Sequence, residues 1–146
     1  MKTILSLTLL CLVASCDLEK YSEYTFTNYL VGKWEITEKG QLDGHIVDFE
    51  SVNTSFCDPD NLIFAMNLHF TFVQFDHFGE DCISTSREGI YSIYDKSFTL
   101  SGDSEDELIP STTYTVISLT YNFLEVSFTD QNGNLVFLKL NKVIEN

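Results

Sequence analysis
Between residues 31 and 143 apolar side chains recur at every second position, in runs separated by clusters of Gly, Asn, Asp and Lys. Side chains that alternate between two faces belong to β-strands with one face buried, and no helix satisfies that period. The pattern predicts strands at residues 31–37, ending at Gly40, and more weakly at 45–52. Further strands follow at 62–64 and 68–75, bent around Met66-Asn67, and at 90–94 and 97–101, joined by Asp95-Lys96. The last three are 112–119 and 123–129, joined by Tyr121-Asn122, and 135–143 after the turn at residues 130–134. Residues 76–88 show no such period, and Thr27-Asn28-Tyr29-Leu30 reads as one short N-terminal helical turn. Eight or nine short strands linked by hairpins, with no long crossover, make an all-β protein. An antiparallel up-and-down β-barrel is the expected form, because closure removes edge strands that would template aggregation; a β-sandwich is the alternative.

Ahead of the strands, Lys2 and the apolar residues 4–14 have the make-up of a secretory signal, too short to span a bilayer. Val13-Ala14-Ser15-Cys16 resembles the lipobox of bacterial lipoproteins, in which the chain is cut before the cysteine and the cysteine carries lipid. That resemblance implies a removed signal peptide (1–15), a lipidated Cys16 with a polar tether (16–26) and a folded domain (27–146). One acyl chain gives marginal membrane residence, whereas the several chains of a lipoprotein hold it firmly.

A net charge of −14 repels nucleic acid and anionic headgroups, so DNA and RNA are not expected partners. It favours solubility and, in a sharper form, attraction to a cationic protein. Of four cysteines, Cys11 leaves with the signal and Cys16 takes lipid, so Cys57 and Cys82 are expected to form a disulfide in an oxidising compartment. His69 and His77 lie between them at a spacing that matches no zinc pattern, and the acidic run at 102–107 lacks the spacing of a calcium loop; no metal or cofactor is expected. Asn53-Thr54-Ser55 matches a glycosylation acceptor, which has no meaning in a bacterial lipoprotein. No nucleophile elbow, phosphate-binding glycine loop or metalloprotease motif occurs, so the chain is not expected to be an enzyme.

Several pieces, in order, resemble the lipocalin-like domain lipoproteins of Bacteroides-type bacteria. They are Cys16, Leu30-Val31-Gly32-Lys33-Trp34, Cys57-Asp58-Pro59-Asp60-Asn61, Cys82 and Gly89-Ile90-Tyr91-Ser92-Ile93, followed by Tyr114 to Leu119, Leu124-Glu125-Val126 and Phe137-Leu138-Lys139-Leu140. The resemblance implies a barrel whose floor is plugged by Trp34, with Gly32 allowing close backbone approach. In ligand-carrying lipocalins an arginine from the last strand covers that tryptophan. The only arginine here is Arg87, so Lys139 or Lys142 would have to supply the cation.

An eight-strand barrel either fills with side chains or holds one small molecule. The expected function is therefore a membrane-anchored, monomeric binder of a small apolar ligand, with Trp34, Phe70, Phe72, Tyr91, Tyr114, Val126 and Phe128 as candidate lining residues. The alternative is an interaction module or inhibitor that docks a cationic partner through its acidic surface. The expected location is the cell envelope, lipid-anchored at the outer membrane, facing the periplasm or the surface: Asp17-Leu18-Glu19 resembles a surface-export signal, although Asp17 alone would mark inner-membrane retention in enteric bacteria.

Overall fold
The computed structural model describes residues 25–52, 57–102 and 111–144. The signal segment, Cys16, the tether to residue 24, Asn53-Thr54-Ser55 and the acidic run from residue 103 lie outside the described residues. A short helix at residues 25–30 leads into nine strands: β1 (Gly32–Asp43), β2 (Ile46–Ser51), β3 (Asn61–Phe64), β4 (His69–Phe78), β5 (Asp81–Tyr94), β6 (Ser97–Gly102), β7 (Thr112–Leu119), β8 (Phe123–Thr129) and β9 (Leu135–Lys142).

Each strand pairs antiparallel with its neighbours, and β1 closes the sheet against β9 from Trp34↔Lys142 to Gln41↔Val136. That closure decides between barrel and sandwich: the sheet is a barrel. β2 and β3 share one edge of β1, with β2 along Glu38 to Asp43 and β3 along Gly32 to Glu35. They are two halves of one interrupted strand, so nine segments fill eight positions. Backbone bonds seal both ends of the interruption, Val52 N–H to the Thr37 carbonyl (3.1 Å) and Ile36 N–H to the Asp60 carbonyl (2.9 Å). Cys57 lies in the excursion and is disulfide-bonded to Cys82 near the start of β5, as the cysteine count predicted.

The inward face follows the alternation: Trp34 and Ile36 on β1, Leu62 and Phe64 on β3, Phe98 and Leu100 on β6, Leu124 and Val126 on β8, and Val136, Leu138 and Leu140 on β9 are all buried. Phe26 and Leu30 of the short helix pack against this cluster at one end. A column of rings runs through the interior, from Phe64 edge-on to Tyr91 and Phe98 (5.1 and 5.2 Å), to Phe98 stacked on Tyr114 (5.0 Å), to Tyr114 against Phe128 (4.9 Å). Edge-to-face and offset contacts at these separations add to the burial itself.

Two features depart from the expected strand map. β1 runs through Gly40 to Asp43 instead of ending there. Gly40 makes room outside the barrel: a Cβ would come within 2.7 Å of Val47 and 2.8 Å of Phe49. Residues 76–88 form most of a long hairpin, because β4 continues to Phe78 and β5 begins at Asp81. From Gln74 onward β4 pairs with β5 alone, and side chains from Asp76 to Glu88 are exposed, so neither face needed an apolar period.

Candidate ligand cavity
The helix and the turns at 65–68, 95–96 and 120–122 gather at one end of the barrel, and the turns at 43–45, 79–80 and 130–134 at the other. Trp34 shuts the first end. Its side chain is fully buried and its indole N–H donates to the Leu30 carbonyl at 2.7 Å. Lys142, on β9, supplies the covering cation: its Nζ stands 5.0 Å from the Trp34 ring centre and 5.5 Å from that of Tyr121, and donates to the Tyr29 carbonyl at 2.9 Å. Burial of the ammonium pulls its pKa below the usual lysine range. Gly32, at φ +130°, is required by this arrangement, since a Cβ there would meet Lys142 Cε at 2.6 Å. Lys139 points outward, pairing with Glu38 at 2.7 Å and lying 3.8 Å from the centre of the Phe49 ring.

Above the floor, an open cavity of about 290 Å³ is lined by Ile36, Leu62, Phe70, Phe72, Arg87, Leu100, Thr112, Tyr114, Phe128, Gln131 and Leu138. A second lobe of about 260 Å³ shares Ile36, Phe128 and Leu138 and adds Lys39, Val52, Asp58, Pro59, Asp60 and Phe75, under the excursion that carries Cys57. Of the residues expected to line a site, Phe70, Phe72, Tyr114 and Phe128 meet at the first cavity. Trp34, Tyr91 and Val126 sit in the packed core instead, where the Tyr91 hydroxyl donates to the Ala65 carbonyl at 2.7 Å.

The wall also contains residues that alternation alone did not single out. Ile36, Leu62, Leu100 and Leu138 were legible as inward-facing, but only the cross-barrel register brings them to one height. Lys39 turns inward because Thr37 and Glu38 are both outward at a bulge between Ile36 and Glu38, which reverses the parity of β1. At the mouth, the Asp130 carboxylate accepts from the backbone N–H groups of Asn134 (2.8 Å) and Asn132 (2.9 Å) and from the Asn134 side chain (3.1 Å), and these bonds hold its pKa below the usual range.

Similarity to solved structures supports this architecture. A lipocalin-like protein from Bacteroides uniformis superposes with a TM-score of 0.57 at 20% identity, over 79% of this chain and 99% of that one. This chain has the lipocalin-like fold. An uncharacterized protein from Bacteroides eggerthii gives a TM-score of 0.54 at 15% identity, over 77% of this chain and 98% of that one. No protein-family model matches the sequence, and no curated protein matches it. The lipocalin-like barrel thus combines a sealed floor with an aromatic cavity that opens toward the far end.

Tyr114 gives the cavity a titratable marker. Burial pushes its pKa up to about 12 from an ordinary 10.0. Between those values the unfolded chain releases the proton and the folded one keeps it, so stability should fall as pH rises through this window, by up to about 2–3 kcal/mol for a shift of about two units. Urea unfolding from pH 9 to 12 should show this loss, and Tyr114→Phe should remove that part of it. An equal pH slope in the variant would contradict the assignment.

Proposed function
We propose that this chain is a lipid-anchored envelope protein whose barrel binds a small, largely apolar molecule. The observation that carries the reading is the open cavity of about 290 Å³ between Trp34 and the mouth, walled by Phe70, Phe72, Leu100, Tyr114, Phe128 and Leu138. Ligand sites are typically concave, mostly apolar and equipped with a few placed polar groups; Thr112, Gln131 and Arg87 fit that description here. The volume lies at the lower end of the ~300–1,000 Å³ range for such sites, so the occupant is small.

The anchor in this reading is lipid on Cys16, with the barrel held at the outer membrane. Native mass spectrometry of the protein extracted from its own membrane tests both parts at once. The expected result is a mass increment on Cys16 for the acyl chains and a separate, dissociable small-molecule adduct. Protein that carries no adduct when extracted gently, and that takes up none from a lipid extract of the same cells, would overturn the binding reading. Protease treatment of intact cells then separates a surface-facing from a periplasm-facing barrel.

A further inference from the structure
The charge in the cavity wall is single and positive. Of the residues around the first cavity only Arg87 is charged, and it is the sole arginine of a chain with 22 Asp and Glu. It follows the inward parity of Gly89 and Tyr91 on β5 and stands opposite Phe72 on β4. Three other cations of the barrel are engaged, Lys139 with Glu38, Lys33 with Glu35 at 3.8 Å and Lys142 with the Tyr29 carbonyl, whereas among the described residues no carboxylate pairs with Arg87. Tyr114 adds a hydroxyl with no hydrogen-bond partner among the described residues, and its raised pKa keeps that hydroxyl a donor. Among the described residues the carboxylates around these cavities have other surroundings: Asp130 is used by its own turn, Asp60 accepts from Phe75 N–H at 2.8 Å, and Asp58 shares the adjoining lobe with Lys39.

An apolar chamber whose wall presents a guanidinium and a hydroxyl with no protein partner among the described residues fits a ligand that is both anionic and rich in acceptors. From this we infer that the cavity selects a monoanionic amphiphile, a carboxylate on a medium-length apolar body, its head at Arg87 and its body among Phe70, Phe72 and Phe128. The inference rests on the binding reading above and narrows its ligand class. The cavity, at about 290 Å³, lies at the lower end of the ~300–1,000 Å³ range for ligand sites, which favours a body of medium length, for which an eight-carbon chain is the probe. The chain's net charge opposes an anion at long range, so the selectivity arises on contact, after desolvation.

The test is calorimetric titration of octanoate, 1-octanol and octylammonium into the full-length lipidated protein, kept soluble in a neutral maltoside detergent, with titrations into empty micelles subtracted. Octanoate should bind about tenfold more tightly than octanol, and octylammonium more weakly than either. Arg87→Gln should remove the preference, bringing octanoate to within about twofold of octanol, and Arg87→Lys should retain part of it. Arg87 is exposed and has no ion-pair partner among the described residues, so these variants should fold normally. Equal binding of octanoate and octanol, or a preference that survives Arg87→Gln, would overturn the inference and leave the cavity reading standing. Failure of all three probes to bind would overturn the inference, and a cavity also empty in native mass spectrometry would remove the reading beneath it.

Discussion

Trp34→Ala should lower stability by about 3–5 kcal/mol, a large share of the 5–15 kcal/mol available to a domain of this kind. The side chain is fully buried at the sealed end, and its loss leaves a cavity that the surrounding strands cannot collapse into, because β1 is paired on both edges there, with β3 and with β9. Three further losses follow from the same change. The buried Leu30 carbonyl loses its donor, Lys142 loses the ring beneath its ammonium, and the helix at residues 25–30 loses its point of attachment. Trp34→Phe narrows these contributions, since it keeps most of the apolar bulk while removing the N–H donor and part of the ring; the unsatisfied carbonyl alone should cost about 1–3 kcal/mol. Because Trp34 is the chain's only tryptophan, the measurement is urea unfolding followed by far-ultraviolet circular dichroism instead of fluorescence. A loss below about 1 kcal/mol for Trp34→Ala would mean that the floor is not built on this residue.

Much of this architecture could be read directly from the chain. The alternation at residues 112–119, 123–129 and 135–143 matches β7, β8 and β9 because each has one face against the core and one toward solvent, the condition under which period two appears. The Gly32-x-Trp34 floor was legible through the family resemblance and not through the alternation, and the positive φ at Gly32 is visible only in the structure. The long β4–β5 hairpin was not, since strands exposed on both faces carry no hydrophobic signal and their pairing is held by backbone bonds that every residue type makes. Gly40 misled in another way: a glycine inside a strand can end it or admit a neighbour, and only the positions of Val47 and Phe49 distinguish the two. For the cavity, sequence pattern identified which rings face inward but not which of them touch each other. Tyr91 and Tyr114 look alike in the alternation, yet one is locked to the Ala65 carbonyl in the core and the other borders open space. Arg87 went unnoticed as a wall residue because it lies where the apolar period had already faded.

Removing the Cys57–Cys82 bridge should have an effect of similar size to the loss of Trp34 but a different spatial signature. The cysteines are 25 residues apart with Cα atoms at 5.6 Å, and closing a loop of that length in the unfolded chain corresponds to about 3.5 kcal/mol in the chain-entropy model. The bridge joins the excursion between β2 and β3 to the outer part of β5, where the Gln74–Phe78 part of β4 has only β5 as a neighbour. A Cys57→Ser/Cys82→Ser double variant, which leaves no lone thiol, should therefore unfold at lower urea by about that free energy. In hydrogen exchange, protection should be lost first at residues 74–78 and 81–88, while the β7–β8–β9 wall keeps protection up to the lowered global stability. Trp34→Ala should instead lower protection throughout, since it acts on the core that all strands share. The excursion also roofs the second lobe through Asp58, Pro59 and Asp60, so the double variant should open that lobe while leaving the first cavity, whose wall contains none of these residues, able to bind. Uniform loss of protection in the double variant would show that the bridge secures the whole barrel and not one side of it, and an unchanged unfolding midpoint would show that it constrains nothing.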